Sequence, residues 1–170
     1  TDASDDDNRI NQALKHAAAK GSDLLKVTAL DALIQRGTVT NAGIDELLAF
    51  LANGDADIKN HAASSLRNCA DSEWTTRCVD GLVELLSDEN VTVVAMAAST
   101  LGDFGGHAAG TCGDLQQLAV AHTDPYVLEA VSVALQRILQ GHSRNTAVSL
   151  PPVQDPVPVQ TQSEFLPVVE

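Results

Sequence analysis

Four stretches of this chain can be laid over one another. Leu25, Ile58, Val93 and Val127 align as the first large apolar residue of each, at intervals of 33, 35 and 34 residues. Eight positions on, Leu33, Leu66, Leu101 and Leu135 align. Between them stand Ala29, Ala62, Ala97 and Val131, followed one residue later by Leu30, Ala63, Ala98 and Ser132. Ser22, Asp55, Asn90 and Asp124, all turn or cap formers, precede the anchors. Self-similarity near this period restricts the chain to an array of stacked supersecondary units.

The clearest copy is 88–102, a polar turn leading into a run of small residues. Val93, Ala97 and Leu101 recur at spacing four, which puts them on one helical face. Ala95, Ala97, Ala98, Ser99 and Thr100 leave room for a close neighbour. Aromatic residues are scarce, with a single Trp and a single Tyr. A core of Ala, Leu and Val with few rings fits packed helices better than a sandwich or barrel.

The repeats pair with intervening helical stretches into four helical hairpins. Helices are expected at 8–20, from Asp23 to a stop at Gly37, and from 44 to 52. The next begins beside Asp57, and a further one carries Val79, Leu82, Val83, Leu85 and Leu86. The 88–102 unit ends by Gly105 and Gly106, and 107–110 is a small-residue connector. A seventh helix covers 112–121. Pro125 opens the eighth, where its missing N–H is harmless, and Gly141 stops it. Domain boundaries follow: an acidic, disordered lead at 1–7, a repeat domain at 8–141 and an extended tail at 142–170.

The pattern Asp-x-x-apolar-basic-x-x-Ala-Ala-x-x-Leu-Gly resembles the HEAT family, in its short form seen in phycobilisome lyases and many bacterial proteins. Asp55, Ile58, Lys59, Ala62, Ala63 and Leu66 match best, then Val93, Ala97, Ala98, Leu101 and Gly102. The resemblance spans about 8–140 and implies an all-α, right-handed α-solenoid. The Thr-Pro-Leu-His motif of ankyrin units is absent, as is the Trp, Gly and Tyr pattern of tetratricopeptide units. Val94 and Leu128 depart from the pattern, standing where the family carries a basic residue that often bonds a neighbouring acid. The later units are therefore expected to rely more on apolar contact.

The resemblance further implies that the second helix of each hairpin lines the concave, partner-binding side. Helical phase then offers Lys26, Asp31, Lys59, Asn60, Val94, Asp103 and Glu129 as exposed positions there. The leading function is protein–protein interaction, as a non-catalytic scaffold or accessory subunit of a larger assembly. The alternative, resting on the repeats alone, is a bilin lyase or isomerase subunit.

A formal charge of −13 argues against nucleic acid or anionic membrane as partner, because both need cationic contacts to phosphate. Its simplest reading is solubility, in a salty or extracytoplasmic setting. No apolar run approaches the roughly 20 residues needed to span a bilayer. The acidic start, without Met or signal-peptide pattern, reads as the lead of a processed or trimmed chain. An exported or periplasmic location is favoured over a cytoplasmic one.

The tail holds five of its prolines between Pro151 and Pro167, which excludes helix and central strand and favours an extended, polyproline-like segment. Val157, Val159, Phe165 and Leu166 make it an apolar docking candidate, against the plainer reading of a disordered end. The last helix carries Val127, Leu128, Val131, Val133, Ala134, Leu135, Ile138 and Leu139 on more than one face. A terminal repeat normally turns a polar side outward, so the tail or another subunit is expected to cover it. Trp74 either plugs the seam between repeats or anchors a partner. Trp74, Val94, Leu128 and Val133 thus join the four tail residues as candidate contacts.

No catalytic, cofactor or metal site is expected. Cys69, Cys78 and Cys112 form no Cys-x-x-Cys pair. Cys78 and Cys112 share a repeat position and should lie one helix spacing apart, roughly 8–10 Å, too far for a bridge. Cys69 and Cys78 flank a short loop and could pair, against the alternative of buried free thiols. His16, His61, His107, His122 and His142 are scattered over different units. Ser64, Ser65, Ser99 and Thr100 are assigned to close helix packing, with hydroxyls bonding the preceding turn.

Overall fold

The computed structural model describes residues 3–147. Among these are eight α-helices and no strand: α1 Ala3–Lys20, α2 Asp23–Gln35, α3 Asn41–Asn53, α4 Ala56–Leu66, α5 Thr75–Glu84, α6 Val91–Asp103, α7 Cys112–Ala121 and α8 Pro125–Ala147. Short 3-10 segments follow α4, α5 and α6, at Arg67–Cys69, Leu85–Ser87 and Gly105–Thr111. The helices pair as α1–α2, α3–α4, α5–α6 and α7–α8, an all-α HEAT-like solenoid of four hairpins.

The cap column works as hydrogen-bond chemistry. The Asp55 carboxylate accepts from the Ile58 N–H at 2.9 Å, Asn90 from Thr92 at 2.9 Å and Asp124 from Tyr126 at 2.8 Å. Each satisfies an orphan amide at a helix start. Ser22 makes no such bond, and Asp55 rather than Asp57 is the cap of α4. Helix α3 begins at Asn41, three residues before the expected start at 44, and Thr40 caps it by accepting from the Gly43 N–H at 3.4 Å. Gly37 closes α2 with φ +65°, and the Thr38 N–H reaches back to the Leu33 carbonyl at 2.9 Å. That is the left-handed cap a glycine supports best.

Two expected boundaries shift. Helix α1 begins at Ala3, so part of the acidic lead is helical. Asp5 and Asp6 sit in its first turn, where carboxylates favour the helix dipole, and Asp7 meets the Arg36 guanidinium at 2.8 Å. At the other end, Gly141 does not stop α8, which runs on to Ala147. A Cβ at Gly141 would stand 2.5 Å from the Gly106 nitrogen. This glycine therefore serves close helix approach, not termination.

The second helices α2, α4, α6 and α8 form one row, packed closely on each other, while the first helices α1, α3, α5 and α7 are splayed. Small residues explain the difference. Ala62, Ala63, Ala97, Ala98 and Ala134 are buried to 0% exposure, and Gly102 lets α6 approach the backbone of α8. A row packed tightly on one side and loosely on the other curves towards the tight side. The second-helix row is therefore the inner face, and the core runs between the two rows.

Candidate interaction surface

Four columns of side chains cross the inner face, at helical spacing within each helix and at repeat spacing between helices. They are Leu24, Asp57, Thr92 and Tyr126; Thr28, His61, Met96 and Ala130; Asp31, Ser64, Ser99 and Val133; and Gln35, Asn68, Asp103 and Arg137. All are exposed or half-buried. Polar rungs join neighbouring repeats along it. Asn68 donates to Asp31 at 3.4 Å, Asn60 to Thr92 at 3.1 Å, and Asp103 receives Arg137 at 2.5 Å with Arg67 at 3.8 Å.

The character of this face changes along the array. The first two repeats present mostly Thr, Asp, Ser and Asn. Between α6 and α8 a groove of about 290 Å³ is lined by Arg67, Ala95, Met96, Ser99, Tyr126, Glu129, Ala130 and Val133. Tyr126 is 55% exposed and Val133 38%. Tyr and Met are enriched at protein interfaces, where their large adaptable surfaces bury well. The outer face holds a larger groove of about 560 Å³ between the splayed α3 and α5. It is lined by Lys59, Arg77, Asp80, Glu84 and Asp88 above an apolar floor of Leu48, Leu51 and Leu85. Its charges are largely engaged in structural pairs: Arg77 with Asp45, and Lys59 with Asp88 at 2.6 Å.

The candidate contacts fare differently. Val133 lines the inner groove. Leu128 is half-buried on α8. Val94 is only 1% exposed, which corrects its expected place on the binding face. Its repeat counterparts show why. Lys26 reaches Glu46 of the next repeat at 3.1 Å, and Lys59 reaches Asp88 of the next repeat. The position points into the junction between repeats, so Val94 makes that junction apolar, and the reliance on apolar contact expected of the later units holds there. Trp74 is half-buried against the core, and its indole N–H donates to the Asn41 side chain at the start of α3. It thus stands in the seam between the second and third repeats. Val157, Val159, Phe165 and Leu166 lie outside the described residues.

Tyr126 and Met96 are the residues that sequence reasoning missed. Their signal was present: 92, 96 and 99 on α6 and 126, 130 and 133 on α8 share the i, i+4, i+7 register of one face.

The Lys59 ammonium, hydrogen-bonded to Asp88, holds that carboxyl below its ordinary value. Cys69 and Cys78 are both buried free thiols. Among the described residues, no group of His, Cys, Asp and Glu could hold a metal ion. His16, His61 and His107 are exposed and His122 half-buried, while the side chain of His142 lies outside the described residues. No described helix is long and apolar enough to cross a membrane.

The tandem helical hairpins agree with the comparisons. A family model described as HEAT repeats matches residues 44–136. The chain belongs to the HEAT-repeat family. Among solved structures, a crystal structure of an engineered protein is similar, with 23% identity and a TM-score of 0.59 over 80% of this chain and 64% of that one. The chain thus spans less than two thirds of that protein, and the likeness concerns the fold. No curated protein matches the sequence. HEAT repeats generally mediate protein–protein interaction, and proteins built from them are usually non-catalytic.

Proposed function

We propose that this chain is a non-catalytic scaffold, an accessory or structural subunit of a larger protein assembly. It binds its partner through the inner face of the last two repeats, with the apolar tail as a second contact. One observation carries the reading: exposed Tyr126 and Val133 stand beside Met96 along one groove of the inner face. Aromatic anchors in such grooves concentrate binding energy. The acidic net charge suits a protein partner better than a nucleic acid.

The test is capture from native-source extract with the full chain, with the double variant Tyr126→Ser/Val133→Ser, and with a chain ending before Ser149. A stoichiometric partner retained by the full chain and reduced at least tenfold by the double variant is expected. Recovery undiminished by that variant, with its fold intact by circular dichroism, sinks the inner-face assignment. Recovery undiminished by truncation removes the tail from the interface.

A further inference from the structure

Asn53 and Gly54 are the one Asn-Gly pair in the chain. Asn53 is the last residue of α3 and is exposed, and Gly54 leads from it to Asp55, the cap of α4. The turn leaves no choice of residue at Gly54. A Cβ there would stand 2.7 Å from the Phe50 carbonyl oxygen and 2.8 Å from Ile58 Cγ2. Both groups of the pair are held by the last turn of α3. The Asn53 side-chain amide donates to the Ala49 carbonyl at 3.1 Å, and the Gly54 N–H donates to the Phe50 carbonyl at 2.9 Å.

We propose that Asn53 is a site of spontaneous deamidation, gated by fraying of the last turn of α3, and that its isoaspartate product loosens the α3–α4 hairpin. With that turn open, the Gly54 nitrogen loses its proton to solvent base and attacks Asn53 Cγ. The N–Cγ bond forms, the Cγ–Nδ2 bond breaks, and the leaving nitrogen takes a proton from water and departs as ammonia. A water molecule then opens the cyclic imide at either carbonyl. Opening at Cγ leaves aspartate. Opening at the main-chain carbonyl leaves isoaspartate, with the chain now running through the former side chain. The sum converts an amide and water into a carboxylic acid and ammonia, with no change of oxidation state.

Gly54 has no side chain to shield its nitrogen, whereas every other asparagine precedes a residue that carries one. The fold therefore requires at Gly54 the residue that makes Asn53 reactive. The gate is shallow, because Ala52 and Asn53 are both exposed and helix ends open at far lower cost than helix centres. Isoaspartate inserts a methylene into the backbone just before Asp55. That residue's carboxylate accepts from the Ile58 N–H at 2.9 Å, and its carbonyl accepts from the Lys59 N–H at 2.8 Å. The displaced turn strains this cap, and the new carboxylate sits at the negative end of the α3 dipole.

The test incubates the full chain, wild type and Asn53→Gln, in warm, mildly alkaline buffer with and without urea, beside a synthetic peptide of residues 49–58. Intact mass, peptide mapping and isoaspartyl methyltransferase labelling follow the reaction. The mass gain of amide-to-acid conversion is expected at Asn53, with isoaspartate in excess over aspartate. Its rate in the folded chain should be about tenfold below that of the peptide and should rise to the peptide's in urea. Residue 53 of the Asn53→Gln chain should stay unchanged, because its longer side chain closes the ring far more slowly. The isoaspartate form, separated by ion exchange, should melt about 2–4 °C below the fresh chain, the shift that loss of one helix cap produces in a domain of this size. No gain at Asn53 after thirty peptide half-lives overturns the site, as does a gain confined to other asparagines. Equal rates in the folded chain and the peptide overturn the gate, and unchanged melting overturns the loosening of the hairpin.

Discussion

Gly102 of α6 lies so close to Ala134 of α8 that a methyl group at Gly102 would stand 2.7 Å from the Ala134 Cα. The obstacle is backbone, so no side-chain rotation relieves it. Gly102→Ala is therefore expected to destabilise by about 1–3 kcal/mol through overpacking, although alanine is the better helix former. Gly113 in α7 has open space around its missing Cβ. Gly113→Ala should stabilise by about 0.5 kcal/mol, since only helix propensity changes. Urea unfolding of both variants checks the pair; equal effects in the same direction contradict the packing argument.

Thr100 is fully buried in α6, and its hydroxyl has no hydrogen-bond partner. Ser65, by contrast, bonds the His61 carbonyl at 2.9 Å, as expected of a helical hydroxyl among alanines. Thr100→Val keeps the shape and removes the unsatisfied group. A gain of about 1 kcal/mol is expected, raising the melting temperature by about 2–4 °C for a domain of this size. Calorimetry decides, and a loss of stability means that a water or carbonyl satisfies the hydroxyl.

Val94 and Leu128 occupy one repeat position but unequal environments. Val94→Ala should cost about 2 kcal/mol, because the fully packed junction leaves a cavity. Leu128 is half-buried at the end of the array, so Leu128→Ala should cost less than about 1 kcal/mol. Thermal melts of the two single variants compare them directly, and equal costs would mean that the last repeat is as well covered as the third.

Asp88 and Lys59 form a well-shielded ion pair, with side chains 13% and 19% exposed. Asp88→Asn is expected to cost about 1 kcal/mol at neutral pH. The folded carboxyl is depressed below its ordinary 3.8. Its contribution is therefore full above that value and is lost as pH falls through the lower folded value. Denaturant curves at pH 7 and near pH 2–3 should show the gap between wild type and variant shrinking in acid. Asp45→Asn, at the exposed pair with Arg77, should change stability by less than about 0.5 kcal/mol.

Much of the array was legible because its signals are local. Alignment of Leu33, Leu66 and Leu101 marked residues that the structure buries, and Asp55, Asn90 and Asp124 cap as their side-chain chemistry requires. Leu25 aligned equally well, yet it is exposed while Val27, two residues on, is buried. Of the candidate surface, Val133 was found and Tyr126 was not. Tyr126 shares the helical register of Val133, but only the structure set Met96 of the preceding repeat in the same groove.

The sequence by itself determined the unit: its length, its helical hairpin, its caps and the small-residue face on which copies stack. These depend on spacing along one chain, which residue order contains. The tertiary structure alone decided what each repeated position faces. Lys26, Lys59, Val94 and Leu128 share one register, but the lysines bridge to the next repeat, Val94 is sealed inside a junction, and Leu128 stands half-buried in the last unit. Gly141 looks in sequence like a helix stop, and becomes in three dimensions the point where α8 crosses the Gly105–Thr111 segment at backbone distance. Burial depends on what the neighbouring repeat brings to the same place, and that neighbour lies some thirty-four residues away in the chain.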